Sequence, residues 1–241
     1  MPSVPSPKAN LVLVDDCVKR VSSFQELASS PFADGVNAMC WPRSLDGDFS
    51  EVVRMIGEGS GMTVLDENLL QNLSVSSAGR MAIAHMIADL RLLSELGLDP
   101  VLNCLYDYPK DEMAGPVAAD VYSFHADSSP IQAETWLCTY FGAPTEAICN
   151  EDAVKHVDIP ETRAQLLKMY GGSEDVGFEE FLRENCYNLH YATLPNSRPY
   201  CFGNGNLWRI AVEYPGSPVP PCIHRAPHTE PDDSPRLLLI C

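Results

Sequence analysis

Two histidines and one aspartate, far apart in the chain, could form a metal site. His125-Ala126-Asp127 places an imidazole and a carboxylate two residues apart. In an extended strand, residues i and i+2 project from the same face. An H-x-D at a strand end therefore presents both groups together. One distant histidine completes two imidazoles and a carboxylate on one face of an octahedral metal, with positions left open. That arrangement suits oxygen chemistry at a non-haem iron(II). His224, in the segment CIHRAP, is the candidate third ligand.

The pair is not unique. His156/Asp158 and His228/Glu230 have the same spacing, and an acidic chain with several histidines produces such pairs by chance. Context selects among them. His125 follows VYSF and precedes TWLCTYFG, both β-like, whereas His156 lies in the polar stretch NEDAVKHVDIPET. No histidine follows His228 to complete a set. A dozen residues after His224, Arg236 opens RLLLIC. A guanidinium is a planar, permanently charged fork suited to gripping a carboxylate. The order H-x-D, H, R is that of the 2-oxoglutarate-dependent oxygenases, where such a residue holds the far carboxylate of the cosubstrate. Two plainer readings stay open: His224 as a loop histidine, and Arg236 paired with Asp232 or Asp233.

Thr139 and Tyr140 follow on the next strand. Either could bond the cosubstrate carboxylate, and Tyr140 could equally be core. Arg225 is a second anion anchor or a surface charge. Trp136 and Trp208 read as core, and His85 as structural. Cys222, two before His224, has no recognisable nucleophile setting. The glycine-rich GEGSG and GNGN lack the strand–helix context and the lysine of a phosphate loop.

These residues need a scaffold. Residues 11–14 (LVLV) and 36–41 read as short strands and 49–56 as a short helix. From Ser77 to Leu96, Ile83, Met86, Ile87, Leu90 and Leu93 fall at three- and four-residue steps, one helical face, with Gly97 as a stop. Beyond Pro100, short apolar runs alternate with turn residues: 101–108, 120–127, 135–142, 207–214, 220–227 and 236–241. Their even spacing reads as a sandwich or barrel. Residues 161–186 read as two helical pieces about Gly171-Gly172, an insertion and candidate lid.

Five blocks, VNAMCWPR, FHAD, CTYFGAPTE, HRAP and RLLLIC, occur in the order found in a bacterial and fungal family known only as a domain of unknown function. The chain resembles that family from about residue 35 to its end. The family in turn resembles the 2-oxoglutarate oxygenases in its H-x-D, H, R pattern. Three departures stand out, the first being about three extra residues between FHAD and CTY. An arginine common in the family just before the CTY strand is absent, with Glu134 or Thr135 near its place, and the region 155–206 is longer.

The expectation is an α+β protein with a double-stranded β-helix (jelly-roll, cupin-like) core. Residues 1–10 read as a disordered tail and 11–241 as one domain. Within it, 11–100 form an N-terminal helical and short-strand layer and 101–241 the barrel. The ligands would be His125, Asp127 and His224. Arg236, Thr139 and Tyr140 would meet the cosubstrate. Iron(II), 2-oxoglutarate and molecular oxygen would oxidise a C–H bond of a small molecule, amino-acid-like compounds among the candidates. Asp127 favours hydroxylation over halogenation, which usually needs that ligand position vacant. A cupin-like metal enzyme without 2-oxoglutarate and a non-catalytic metal- or ligand-binding module are the alternatives.

Composition limits the rest. Of 241 residues 45% are hydrophobic, enough for a core. The formal net charge of −17 disfavours nucleic acid and anionic membrane surfaces. No apolar run approaches a membrane span, and the N-terminus lacks a secretory signal. Nine irregularly spaced cysteines then read as reduced, mostly buried thiols of a cytoplasmic protein.

Overall fold

Four helices in the N-terminal part each begin behind a serine or aspartate. The computed structural model describes residues 17–110, 115–228 and 234–241. The tail at 1–10, the strand at 11–14, and Glu230, Asp232 and Asp233 lie outside the described residues. The chain runs through β1 (Val18–Arg20), α1 (Phe24–Ser29), β2 (Ala38–Trp41), α2 (Phe49–Ile56), β3 (Met62–Val64), α3 (Glu67–Asn72) and α4 (Ser77–Glu95). The side chains of Ser23, Asp48, Asp66 and Ser76 accept backbone amides of the first turns of α1, α2, α3 and α4, which satisfies donors the helix itself cannot.

The second part contains β4 (Val101–Leu105), β5 (Glu134–Phe141), β6 (Glu146–Ile148), β7 (Ala153–Lys155), α5 (Pro160–Tyr170), α6 (Val176–Glu184), β8 (Tyr191–Thr193), β9 (Tyr200–Cys201), β10 (Leu207–Ala211), β11 (Ile223–Arg225) and β12 (Arg236–Ile240). Helices α5 and α6 are the two expected pieces. The turn between them starts at Gly171, in the left-handed conformation at φ 74°. They bury Leu166, Phe178 and Leu182 in a small core of their own.

Seven strands form one mixed sheet in the order β1-β2-β10-β5-β12-β4-β3, with a three-stranded sheet β11-β6-β9 and the pair β7-β8 beside it. Alternation of side chains gives the large sheet two faces. Trp136, Cys138 and Tyr140 of β5 face Val52, Ile83, Met86 and Leu93 of α2 and α4. Leu137 of β5, with Trp208 and Ile210 of β10, packs instead with Ala147, Tyr200 and Phe202 of the small sheet.

One expectation, the α+β fold with a jelly-roll core, is met in part, and two are corrected here. The strand pairings among the described residues form open sheets and close no barrel. The N-terminal strands are not a separate layer: β2 and β3 pair with β10 and β4, and β1 pairs with β2, lengthening the same sheet at both edges. The run 120–127 is not a regular strand. The Asp120 carboxylate accepts the amides of Tyr122 and Ser123, and a local turn of this kind competes with strand pairing. Only isolated bridges at His125 and Ser128 remain there.

The cysteine expectation changes as well. Cys17 and Cys149 are joined in a disulfide with Cα atoms 6.0 Å apart. The seven other cysteines are free. No helix among the described residues is long and apolar enough to cross a membrane.

Candidate metal centre

His125 and His224 are brought together by their backbones. Each donates its N–H to the other's carbonyl at 2.9 Å, a reciprocal antiparallel pair that sets the two imidazoles on one face. Their ring centroids are 4.6 Å apart. Asp127 follows two residues on, and its carbonyl accepts the Glu213 amide at 2.8 Å. His125, Asp127 and His224 each offer a ligand atom, all within 4.8 Å of one another. They are the one such group found among the described residues.

The orientation of each ligand has a cause. Nδ1 of His125 lies 2.8 Å from the Ser123 carbonyl, and Nδ1 of His224 lies 3.3 Å from the Cys222 carbonyl. A carbonyl accepts only, so each Nδ1 carries the proton and each Nε2 keeps its lone pair for a metal. Asp127 Oδ2 accepts the Thr135 hydroxyl at 2.6 Å and lies 3.8 Å from His224 Nε2. Burial and the facing His224 hold His125 down to about 4. Burial alone would raise Asp127, but His224, the Thr135 hydroxyl and His125 outweigh it and keep the carboxyl below its usual value. Near neutral pH His125 is thus a neutral imidazole and Asp127 a carboxylate, the forms in which each can ligate a divalent cation.

Arg236 is 3% exposed. Its Nη2 reaches the Thr139 and Thr145 hydroxyls at 3.4 and 3.1 Å, its Nη1 reaches the Tyr108 hydroxyl at 3.4 Å, and its Nε has no partner. No carboxylate among the described residues pairs with it. Thr135 and Thr139 lie on one face of β5, about 13 Å apart at ordinary strand rise. One bonds Asp127 and the other bonds Arg236. A cavity of about 590 Å³ opens over His125 and Asp127, lined also by Tyr108, Lys110, Val121, Leu189 and His190.

The other candidates fall elsewhere. Tyr140 points into the helix-side core, stacks on Phe49 and donates to Asp89 at 2.6 Å. Strand alternation prevents Thr139 and Tyr140 from sharing a face, so only Thr139 meets Arg236. Arg225 holds Glu146 through two nitrogens at 2.7 and 2.9 Å over the Phe124 ring, and its charge is already matched. At the place of the family's arginine, Thr135 bonds Asp127 and Glu134 pairs with Arg209. His156 is half-buried beside an exposed Asp158, with no third ligand. Burial pushes the Cys222 thiol up to about 12, unlike a nucleophile. Trp136 and Trp208 are core. The block VNAMCWPR is structural: Arg43 clamps Asp89 with both terminal nitrogens at 2.6 and 2.8 Å and covers Trp41.

Sequence reasoning missed Thr135, Thr145, Tyr108, Lys110 and His190. Thr135 had a signal, four residues before Thr139 on an alternating strand. The others come from loops and turns whose return to the site no periodicity marks.

Against family models, curated proteins and solved structures, the chain gives no match. Of what the family resemblance implied, the structure assembles the His-Asp-His group.

Proposed function

We propose that the protein is an iron(II)- and 2-oxoglutarate-dependent oxygenase acting on a small molecule. The observation that carries this reading is the pairing of an open His-Asp-His group with a buried guanidinium that meets no carboxylate among the described residues. Two histidines and one carboxylate leave half of an octahedron free, the donor set of non-haem iron(II) oxygenases. A buried cation with only neutral partners is costly, and a ligand carboxylate would complete it. 2-Oxoglutarate carries the two groups such a site would take, a chelating keto acid and a distant carboxylate.

Strand order supports the same reading. Along the chain, β4, His125, β5, β6, β9, β10, β11 and β12 fall in the large, small, large, small, small, large, small and large sheet. Within the sheets they run β4-β12-β5-β10 and, through its bridge to His224, His125-β11-β6-β9. Eight segments shared between two facing sheets in this way are what a jelly roll requires.

His125, Asp127 and His224 would hold the iron, Thr135 would orient Asp127, and Arg236 with Thr139 and Thr145 would fix the far carboxylate. Bound iron(II) with 2-oxoglutarate and dioxygen supplies oxidation of a C–H bond, giving succinate and carbon dioxide. Val121 and Leu189 would shield that chemistry from water. The cavity is of a size that takes a small molecule, and Lys110 at its rim suits an anionic group.

Anaerobic titration with iron(II) and then 2-oxoglutarate tests the reading through the weak visible charge-transfer band of the chelate. Wild type should develop the band. His125→Ala and His224→Ala should bind iron at least tenfold more weakly. Arg236→Met should lose the band yet melt no lower than wild type, because an apolar side chain replaces an uncompensated buried charge. Iron binding without a band in wild type would favour a metal enzyme that does not use 2-oxoglutarate.

A further inference from the structure

Three buried side-chain atoms among the described residues have no hydrogen-bond partner: Arg236 Nε, Asn103 Oδ1 and Asn188 Oδ1. Two of them are close neighbours in the sheet. Leu105 of β4 pairs with Arg236 of β12, and Asn103 pairs with Leu238. Asn103 therefore shares a face with Leu105 and lies diagonally beside Arg236, with Cβ atoms roughly 7–8 Å apart for such a pair. Asn103 is 2% exposed. Its Nδ2 reaches only the Val101 carbonyl, at 3.5 Å, the limit of a hydrogen bond. The directly opposed residues on this face, Leu105 and Leu238, are apolar. The amide and Nε thus stand unmet in a buried, apolar setting, where polar groups are normally satisfied.

We propose that Asn103 is a further binding residue of this site, its amide and the Nε of Arg236 holding one carboxylate between them. The inference rests on the oxygenase reading above and names that carboxylate as the far one of 2-oxoglutarate. A half-turn of the amide about its terminal bond exchanges Oδ1 and Nδ2 without changing its shape; it trades the long 3.5 Å contact with the Val101 carbonyl for an oxygen facing that carbonyl, a cost that a charge-assisted bond to the carboxylate offsets. The exchanged amide donates, as Nε does. A carboxylate offers about four acceptor positions; Nε, the amide and the hydroxyls of Thr139 and Thr145 supply as many donors.

Calorimetric titration of the anaerobic, iron(II)-loaded full chain with 2-oxoglutarate tests this in wild type, Asn103→Leu and Asn103→Ser. Losing a hydrogen bond to a charged group should weaken 2-oxoglutarate roughly tenfold to a hundredfold. Iron(II) affinity and the melting curve should not change, because Asn103 touches no metal ligand. If Asn103→Leu fails to fold, Asn103→Ser alone decides. Undiminished affinity in the variants would overturn the role of Asn103 while leaving the oxygenase reading intact. An equal loss for 2-oxobutyrate, which lacks the far carboxylate, would place Asn103 at the keto-acid end and overturn the shared grip with Arg236. A wild type that binds iron(II) but no 2-oxoglutarate would remove the oxygenase reading itself.

Discussion

Both imidazoles of the triad are aimed by one device, a ring N–H turned back onto the carbonyl two residues earlier. The donor is short-range, but its consequence is a pair of metal-ready lone pairs. The cost appears when no metal is bound. His125 sits at about 4, through burial and the facing His224, against about 6.5 in an unfolded chain. Between those values the unfolded chain binds more protons. Stability of the metal-free protein therefore rises with pH across this window and is lost as pH falls from about 6.5 toward about 4. The full shift corresponds to at most about 3 kcal/mol. Urea midpoints measured from pH 7 down to pH 4 should fall accordingly, more steeply in wild type than in His125→Gln.

Strand β5 is the element that joins the two ends of the site. Its alternation sends Thr135, Leu137 and Thr139 toward the small sheet and Trp136, Cys138 and Tyr140 toward the helices. The strand ends at Gly142, where φ is 84° and an added Cβ would lie 2.9 Å from both Arg236 Cγ and the Pro235 carbonyl. Both the conformation and the space require glycine. Gly142→Ala should cost about 1–3 kcal/mol and displace the Arg236 backbone. The expected outcome is a lower melting temperature together with weaker 2-oxoglutarate binding at unchanged iron affinity. A variant that melts lower but binds 2-oxoglutarate normally would show that the strain relaxes away from the site.

At the scale of the molecule, a helical layer and a small sheet cover opposite faces of one large sheet, and the disulfide ties the two sheets together. Cys17 precedes edge strand β1, and Cys149 follows β6 of the small sheet, 132 residues away. A cross-link over so long a loop restricts the unfolded chain strongly, by about 5 kcal/mol in the chain-entropy limit. Asn37 and Asn150 bond beside it at 2.6 Å. Reduction, or Cys17→Ser, should lower the denaturant midpoint by an amount equivalent to about 3–5 kcal/mol, and alkylation under denaturing conditions should label two more thiols after reduction than before. Equal midpoints with and without reductant would mean that the bond adds nothing to stability.

Sequence alone determined what local spacing encodes. The 3.6-residue period of α4, the break at Gly171 and the apolar run of β5 are short-range patterns, and they appear where they were expected. The H-x-D pair and its distant histidine were legible because metal chemistry admits few side chains. Tertiary structure decided the rest. A loop and strand β11 carry His125 and His224 into one reciprocal backbone pair. N-terminal strands slot into the edges of a sheet whose middle strands β10, β5, β12 and β4 all lie beyond residue 100. Thr139 is separated from Tyr140 by the face each one meets, and Arg225 is matched by Glu146 while Arg236 meets only hydroxyls among the described residues. Each of these depends on which distant segment lies alongside. Pairing energy between remote strands is set by the burial of whole faces, which no window of sequence contains.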